Sequence, residues 1–258
     1  MKGKIVWLCL LLLFSGCSPE DKDKLSQVDK PKKELLVFCG ITMIDPVRAL
    51  MSRFEQEANV KMAMSYGGSA DLMQSIKLNG VGDIYFPGGE SFIVEADKEG
   101  LLKERKQVGI NQLALLVKKG NPKGLTGDLD ELTQSGVQVG IGHPELGSVG
   151  KEAKRVLQAK GIYDQVVAAS AMMQPDSKAL SNVLREGKVD VVLNWQAVLF
   201  LQDNSNYMEI LPIKGGFATP HKLTMSIISY SKDPALANRF LDFCASEQGR
   251  AVFQRYGF

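Results

Sequence analysis

Val60-Lys61-Met62-Ala63-Met64-Ser65-Tyr66-Gly67-Gly68-Ser69-Ala70-Asp71 carries the clearest structural signal in the chain. Its first five residues read as a strand, and the segment 71–79, closed by Gly80, reads as a helix. Between them lies a short turn built from two glycines and a hydroxyl. The glycines let backbone approach another group closely. A strand that leaves through such a turn into a helix is the repeating unit of an α/β protein.

The same unit lies on either side. Leu35 to Cys39 is a short continuous apolar run, as expected of a buried parallel strand. The segment 46–58 then places Val47, Leu50, Met51 and Phe54 on one helical face. Asp83 to Phe86 is a strand stopped by Pro87-Gly88-Gly89, and 91–98 a helix ended by Gly100. Gln112 to Val117 is a strand leaving this block. The rhythm restarts with strands at 137–141, 189–193 and 223–228. Helices are expected at 150–159, 177–186, 195–202, 234–245 and 247–254. Strands alternating with helices predict parallel sheets. Two blocks with a crossing strand between them predict two lobes and a cleft.

The 258 residues are 45% hydrophobic and 23% charged, which fits a globular body with a substantial core and excludes collagen, coiled coil and wholesale disorder. Charge is uneven. Residues 1–33 carry seven lysines against four acids, while the remaining 24 bases face 25 acids. A near-neutral body argues against a nucleic-acid partner. Residues 1–16 read as a signal peptide, with Lys2 and Lys4 ahead of ten consecutive apolar residues, Ile5 to Phe14. Leu13-Phe14-Ser15-Gly16-Cys17 resembles the lipobox of bacterial lipoproteins, which implies acylation at Cys17 and a lipid anchor to a membrane outside the cytoplasm. Residues 17–33 are polar, with Pro19 and Pro31, and read as a flexible tether. Cys39 and Cys244 read as buried free thiols, with a bridge the alternative in an oxidising compartment.

The positions of Ser and Thr are informative. Thr42, Ser69, Ser148 and Ser177 each fall where a helix is about to start. In an open α/β sheet such turns lie at the carboxyl ends of strands, where ligands bind. Each presents unpaired N–H groups, a partial positive charge and a hydroxyl. Converging across a cleft, they make an anion site that needs no lysine or arginine. The plainer reading is that Ser and Thr are routine N-caps, and most N-caps bind nothing.

With those residues in view, the segment from about Leu35 to Phe258 resembles the periplasmic molybdate-binding proteins, solute receptors of ABC importers. The resemblance is carried by Val37-Phe38-Cys39-Gly40-Ile41-Thr42, Ser65-Tyr66-Gly67-Gly68-Ser69, Gly82-Asp83-Ile84-Tyr85, Lys119-Gly120-Asn121-Pro122, Gly140-Ile141-Gly142-His143-Pro144 and Phe253-Gln254-Arg255-Tyr256-Gly257-Phe258. It implies a type II binding-protein fold, α/β with the ligand cleft between two lobes. Lobe 1 is expected to comprise 34–112 plus 221–258, and lobe 2 113–220. It implies ligand contacts from Thr42, Ser69, Val149, Ser177 and Trp195, a small tetrahedral oxyanion as ligand, an ABC permease as partner, and a monomer without cofactor or enzymatic activity. Thr42 stands where the family has serine, and Trp195 where it has tyrosine. An indole N–H donates but does not accept. Asp71 complements a helix dipole, or repels an anion if it faces the cleft.

Other chemistries fail on spacing. His143 and His221 are the only histidines, in no metal-ligand spacing, and His143 reads as a loop residue. Gly147-Ser148-Val149-Gly150-Lys151 is not a phosphate loop, because Glu145 stands where the first glycine belongs and Glu152 follows the lysine. The turn at Ser69 is no nucleophile elbow. Met62, Met64, Met172 and Met173 read as core filler, with a thioether metal site the alternative. Sulfate or another small solute is the second ligand class. A sensory or surface interaction protein on the same fold is the second function.

Overall fold

The structure, a computed structural model, describes residues 33–201 and 203–258. The expected leader, the lipidation site Cys17 and nearly all of the tether lie outside the described residues.

The first half opens with β1 (Glu34–Gly40), a 3-10 turn (Ile41–Met43), α1 (Ile44–Ala58) and β2 (Lys61–Gly67). There follow α2 (Ser69–Asn79), β3 (Ile84–Phe86), α3 (Glu90–Lys98) and β4 (Leu102–Asn111). The second half comprises β5 (Leu113–Lys118), β6 (Val139–Gly142), α4 (Ser148–Lys160), α5 (Tyr163–Ala169), β7 (Met172–Gln174), α6 (Ser177–Arg185), β8 (Val191–Trp195) and β9 (Met208–Leu211). The chain then returns through β10 (His221–Ile228), α7 (Pro234–Ala245) and α8 (Glu247–Arg255).

Two five-stranded sheets result, ordered β2-β1-β3-β10-β4 and β7-β6-β8-β5-β9. The chain passes from one sheet to the other at Gln112 and comes back between Leu211 and His221. Neither sheet is purely parallel, contrary to the expectation from alternation. β1, β2 and β3 are parallel, but β10 runs antiparallel to β3 and β4. Likewise β6, β7 and β8 are parallel, and β5 is antiparallel to β8 and β9. The reversed strands are those beside the crossings, where no helix intervenes to return the chain to the same edge.

Alternation along β1 sorts its side chains into two cores. Leu35, Val37 and Cys39 pack with α1, α7 and α8 on one face, while Phe38 packs with α2 and α3 on the other. A third core fills the second half around β5, β8 and α4. Cys39 and Cys244 are free and share the first core. Burial pushes both thiols far above the ordinary cysteine range, so they are inert packing groups. The C-terminus is tied down by Phe258, which meets Phe253, itself edge-on to Phe86.

Several element expectations need correction. The helix expected at 195–202 is instead the end of β8 followed by a 3-10 turn, Gln196–Phe200. The helices expected from Asp71 and Gly150 start two residues earlier, at Ser69 and Ser148. β4, α5, β7 and β9 have no counterpart among the expected elements. β4 carries Lys103-Glu104-Arg105-Lys106, which hides it from any hydrophobic pattern. It is an edge strand, where charge blocks pairing with another chain.

Candidate functional site

The carboxyl ends of the parallel strands of the two sheets face one another across a small cavity. β1 delivers Gly40 and Thr42 to its wall, β2 delivers Gly68 and Ser69, and β3 delivers Gly88. From the other side come Ser148 and Val149 at the start of α4, Asp176 and Ser177 at the start of α6, and Trp195 at the end of β8. All five expected site residues, Thr42, Ser69, Val149, Ser177 and Trp195, are therefore brought to one place, and all are buried. The cavity measures about 20 Å³, so it suits a group of a few heavy atoms. No lysine, arginine or histidine lines it.

Four of the helix starts around the cavity share a chemistry. Their N-caps are Gly40, Gly68, Gly89 and Gly147, and none of the four has a side-chain cap. Ser69 and Ser148 are thus first helical residues rather than caps, and the plain N-cap reading does not hold for them. The first-turn N–H groups have no intrahelical acceptor and are left to whatever enters the cavity. Away from the cavity, α7, α8 and the turn Leu129–Thr133 are capped by Asp233, Ser246 and Asp128. Among the described residues, glycine N-caps occur only around this site.

Hydrogen bonds hold the hydroxyl oxygens of the site in place. Ser69 Oγ accepts the Gly88 N–H at 3.1 Å, and Tyr85 OH donates to the Ser69 carbonyl at 2.8 Å. With its acceptor side occupied, the Ser69 hydroxyl is free to donate. Ser148 Oγ likewise accepts the Trp195 indole N–H at 3.3 Å. The indole is therefore spent on Ser148, whose own hydroxyl takes over as donor. Thr42 Oγ1 lies 3.0 Å from Met43 Sδ, a weak acceptor that a stronger one displaces. Asn194 holds the α6 start, donating to the Ser177 carbonyl at 2.9 Å while its oxygen accepts the Trp195 N–H.

Three features of the site carry no signal in the sequence. Gly88 reads there only as a strand stop. A Cβ there would lie 2.5 Å from Ser148 Oγ, so only glycine lets the two sides approach this closely. Ser148, one of the four helix-start hydroxyls, lines the cavity together with Val149, the contact that the resemblance implies. Asp176, not Asp71, is the acid at the cavity. Its carboxylate accepts the N–H groups of Lys178 and Ala179, which removes two donors from α6 and leaves that of Ser177. Asp71 is exposed. Finally, Glu152 on α4 is buried and gripped by Arg155 through three contacts of 2.6–3.1 Å. His221 Nε2 lies 2.7 Å from the same carboxylate, as a close polar contact rather than an aligned hydrogen bond. Burial pushes the Glu152 pKa up, but His221 and Arg155 outweigh it and hold the carboxyl below its ordinary value. No paired signal marks these residues in the sequence, because His221 lies on β10 and Glu152 on α4.

Among the described residues, no group of three or more His, Cys, Asp or Glu is placed to hold a metal ion, and no helix is long and apolar enough to cross a membrane. His143 sits on a loop, where Nδ1 accepts the Glu145 N–H at 3.2 Å, outside the cavity wall.

Comparison with known proteins adds the following. A family model described as bacterial extracellular solute-binding protein matches residues 35–258. A putative binding protein of Haemophilus influenzae is 25% identical over 227 residues, 87% of this chain and 90% of that one. A putative ABC transporter substrate-binding lipoprotein of Bacillus subtilis is 21% identical over 258 residues, covering 98% and 96%. The molybdate-binding protein ModA of Escherichia coli is 22% identical over 243 residues, covering 87% and 88%. Among solved structures, the substrate-binding domain of a putative molybdenum ABC transporter from Clostridium difficile superposes with a TM-score of 0.66 at 22% identity, covering 88% of this chain and 98% of that one. The sulfate-binding protein SubI of Mycobacterium tuberculosis gives 0.75 at 16% identity, covering 88% and 86%. These likenesses show the two-lobe type II binding-protein fold.

Proposed function

The chain belongs to the bacterial extracellular solute-binding protein family, and on that premise we propose that it captures a small tetrahedral oxyanion and delivers it to an ABC permease. The observation that carries this reading is the set of uncapped helix starts, drawn from both sheets onto one cavity without a cation. An oxyanion needs many donors arranged around a point. Backbone N–H groups and serine hydroxyls supply them, and the partial positive charge of α2 and α4 offsets the loss of hydration. Relatives and neighbours bear molybdate and sulfate names, which fits the size of the cavity.

In this proposal residues 34–112 plus 221–258 form one lobe and 113–220 the other. The ligand enters between them and both sets of donors close on it. Ser69 donates its hydroxyl, Thr42 turns from Met43 to the ligand, Val149 and Ser177 offer N–H groups, and Trp195 orients Ser148. Acylation at Cys17 would hold the receptor, as a monomer, at the membrane that carries the permease. A lipoprotein among the relatives supports that part.

Calorimetry of the full-length chain with molybdate, tungstate, sulfate and inorganic phosphate tests the reading. At least one is expected to bind, and Ser69→Ala to lose about 1–3 kcal/mol, the value of a charge-assisted hydrogen bond. Absence of binding by all four would refute it. Unchanged affinity in Ser69→Ala would remove that residue from the site.

A further inference from the structure

A second and larger chamber adjoins the anion cavity, and the oxyanion reading gives it no occupant. It measures about 230 Å³ against about 20 Å³ for the first. The two meet at Ile41, which lines both. Neighbouring residues pass from one wall to the other: Gly67 and Ser177 line the small cavity, Tyr66 and Lys178 the large one. Both sheets contribute, α1 with Ile44 and Arg48 from one side and α6 with Lys178 and Asn182 from the other. The larger chamber is therefore a continuation of the same cleft.

Its chemistry differs from that of the dipole cavity. Tyr66 is 60% exposed, an aromatic face turned to solvent beside the turn that carries Ser69. Arg48 and Lys178 outnumber Asp45, which lies 3.4 Å from Arg48. Asn182, exposed on α6, adds a neutral hydrogen-bonding group. An aromatic plate, a side-chain amide and two cations around an open volume suit a small hydroxylated carbon skeleton. They have no role toward a bare ion sequestered next door.

We infer that the ligand is a monosubstituted oxyanion, an organic phosphate of polyol or sugar size. Its anionic head occupies the cavity at Ser69 and Ser148, and its carbon skeleton the chamber at Tyr66 and Asn182. This rests on the oxyanion reading and specifies which oxyanions that site takes.

The test is calorimetry of the full-length chain with inorganic phosphate, sulfate and molybdate against methyl phosphate, glycerol 3-phosphate and glucose 6-phosphate. Glycerol 3-phosphate or glucose 6-phosphate should bind at least about 10-fold more tightly than inorganic phosphate. Asn182→Trp, which fills the chamber from an exposed helix position, should abolish that advantage and leave the bare ions within about 2-fold. Tyr66→Ala should weaken the esters by about 5-fold, the scale of a lost aromatic contact. If bare ions bind and every ester binds equally or less tightly, the inference fails and the oxyanion reading stands. An ester preference that survives both substitutions also overturns it, because the chamber is then not the subsite. If no anion binds in either form, the oxyanion reading itself is lost.

Discussion

Ser69 and Ser148 are equivalent devices on opposite sides of the cavity. Each hydroxyl oxygen accepts one N–H, from Gly88 and from Trp195, and each hydroxyl keeps its own proton to donate. Gly88 lies between them, donating to Ser69 while its Cα faces Ser148. Gly88→Ala keeps the bond to Ser69, because alanine retains the N–H, but its Cβ would stand 2.5 Å from Ser148 Oγ and 3.7 Å from the Trp195 indole nitrogen. Relieving that overlap turns the Ser148 hydroxyl away and breaks its bond to the Trp195 indole, at about 1–3 kcal/mol for a lost hydrogen bond in a crowded site. We expect oxyanion affinity to fall by at least about 10-fold in calorimetry, with the thermal midpoint of the unliganded protein within a few degrees of wild type. Wild-type affinity would show that the ligand does not need the Ser148 hydroxyl where it stands.

At the scale of elements, the helix starts at the cavity are of two kinds. α2 and α4 begin at a glycine with no side-chain cap, whereas α6 is capped by Asp176. That cap stabilises the helix and also places a carboxylate against the proposed anion. Asp176→Asn keeps a side-chain acceptor for the N–H groups of Lys178 and Ala179 and removes the charge. Anion affinity should rise several-fold, the equivalent of about 0.5–1 kcal/mol for one like charge beside a site. Unfolding by urea should hardly change. Weaker anion binding in Asp176→Asn would mean that the carboxylate positions the α6 start and does not merely repel. The same elements show what a sequence discloses. Buried strands such as β1 and amphipathic helices such as α1 declare themselves by apolar period. β4 does not, because an edge strand of Lys, Glu and Arg is paired through its backbone to β10. Ser69, Thr42 and Ser177 were legible because they occupy strand-to-helix turns. Gly88 and Asp176 were not, since their importance lies in what stands opposite, and sequence order says nothing of that.

For the whole molecule, the return crossing carries an ionic tie. β10 begins at His221, just after the chain re-enters the first sheet, and His221 meets Glu152 of α4 in the other half. Arg155 binds the same carboxylate and also donates to the Phe217 carbonyl, on the returning segment itself, at 3.1 Å. Glu152 is thus the buried centre of a contact joining α4 to the crossing. Its pKa in the folded protein is lowered, so folding favours its ionised form. The stabilisation is fully present above the ordinary carboxyl value of 4.5, and it is lost as the pH falls through the lower, folded value. Glu152→Gln removes the charge at every pH. At pH 7 it should cost about 1–3 kcal/mol, toward the lower end because Arg155 is half exposed and screened. As the pH falls from 4.5 through the folded value the wild-type protein loses the same interaction, so urea unfolding at pH 7, 5 and 3 should show the gap between the two proteins narrowing at the acid end. A gap that stays constant from pH 7 to pH 3 would mean that the glutamate contributes shape and not charge, and the crossing would then be held by packing alone.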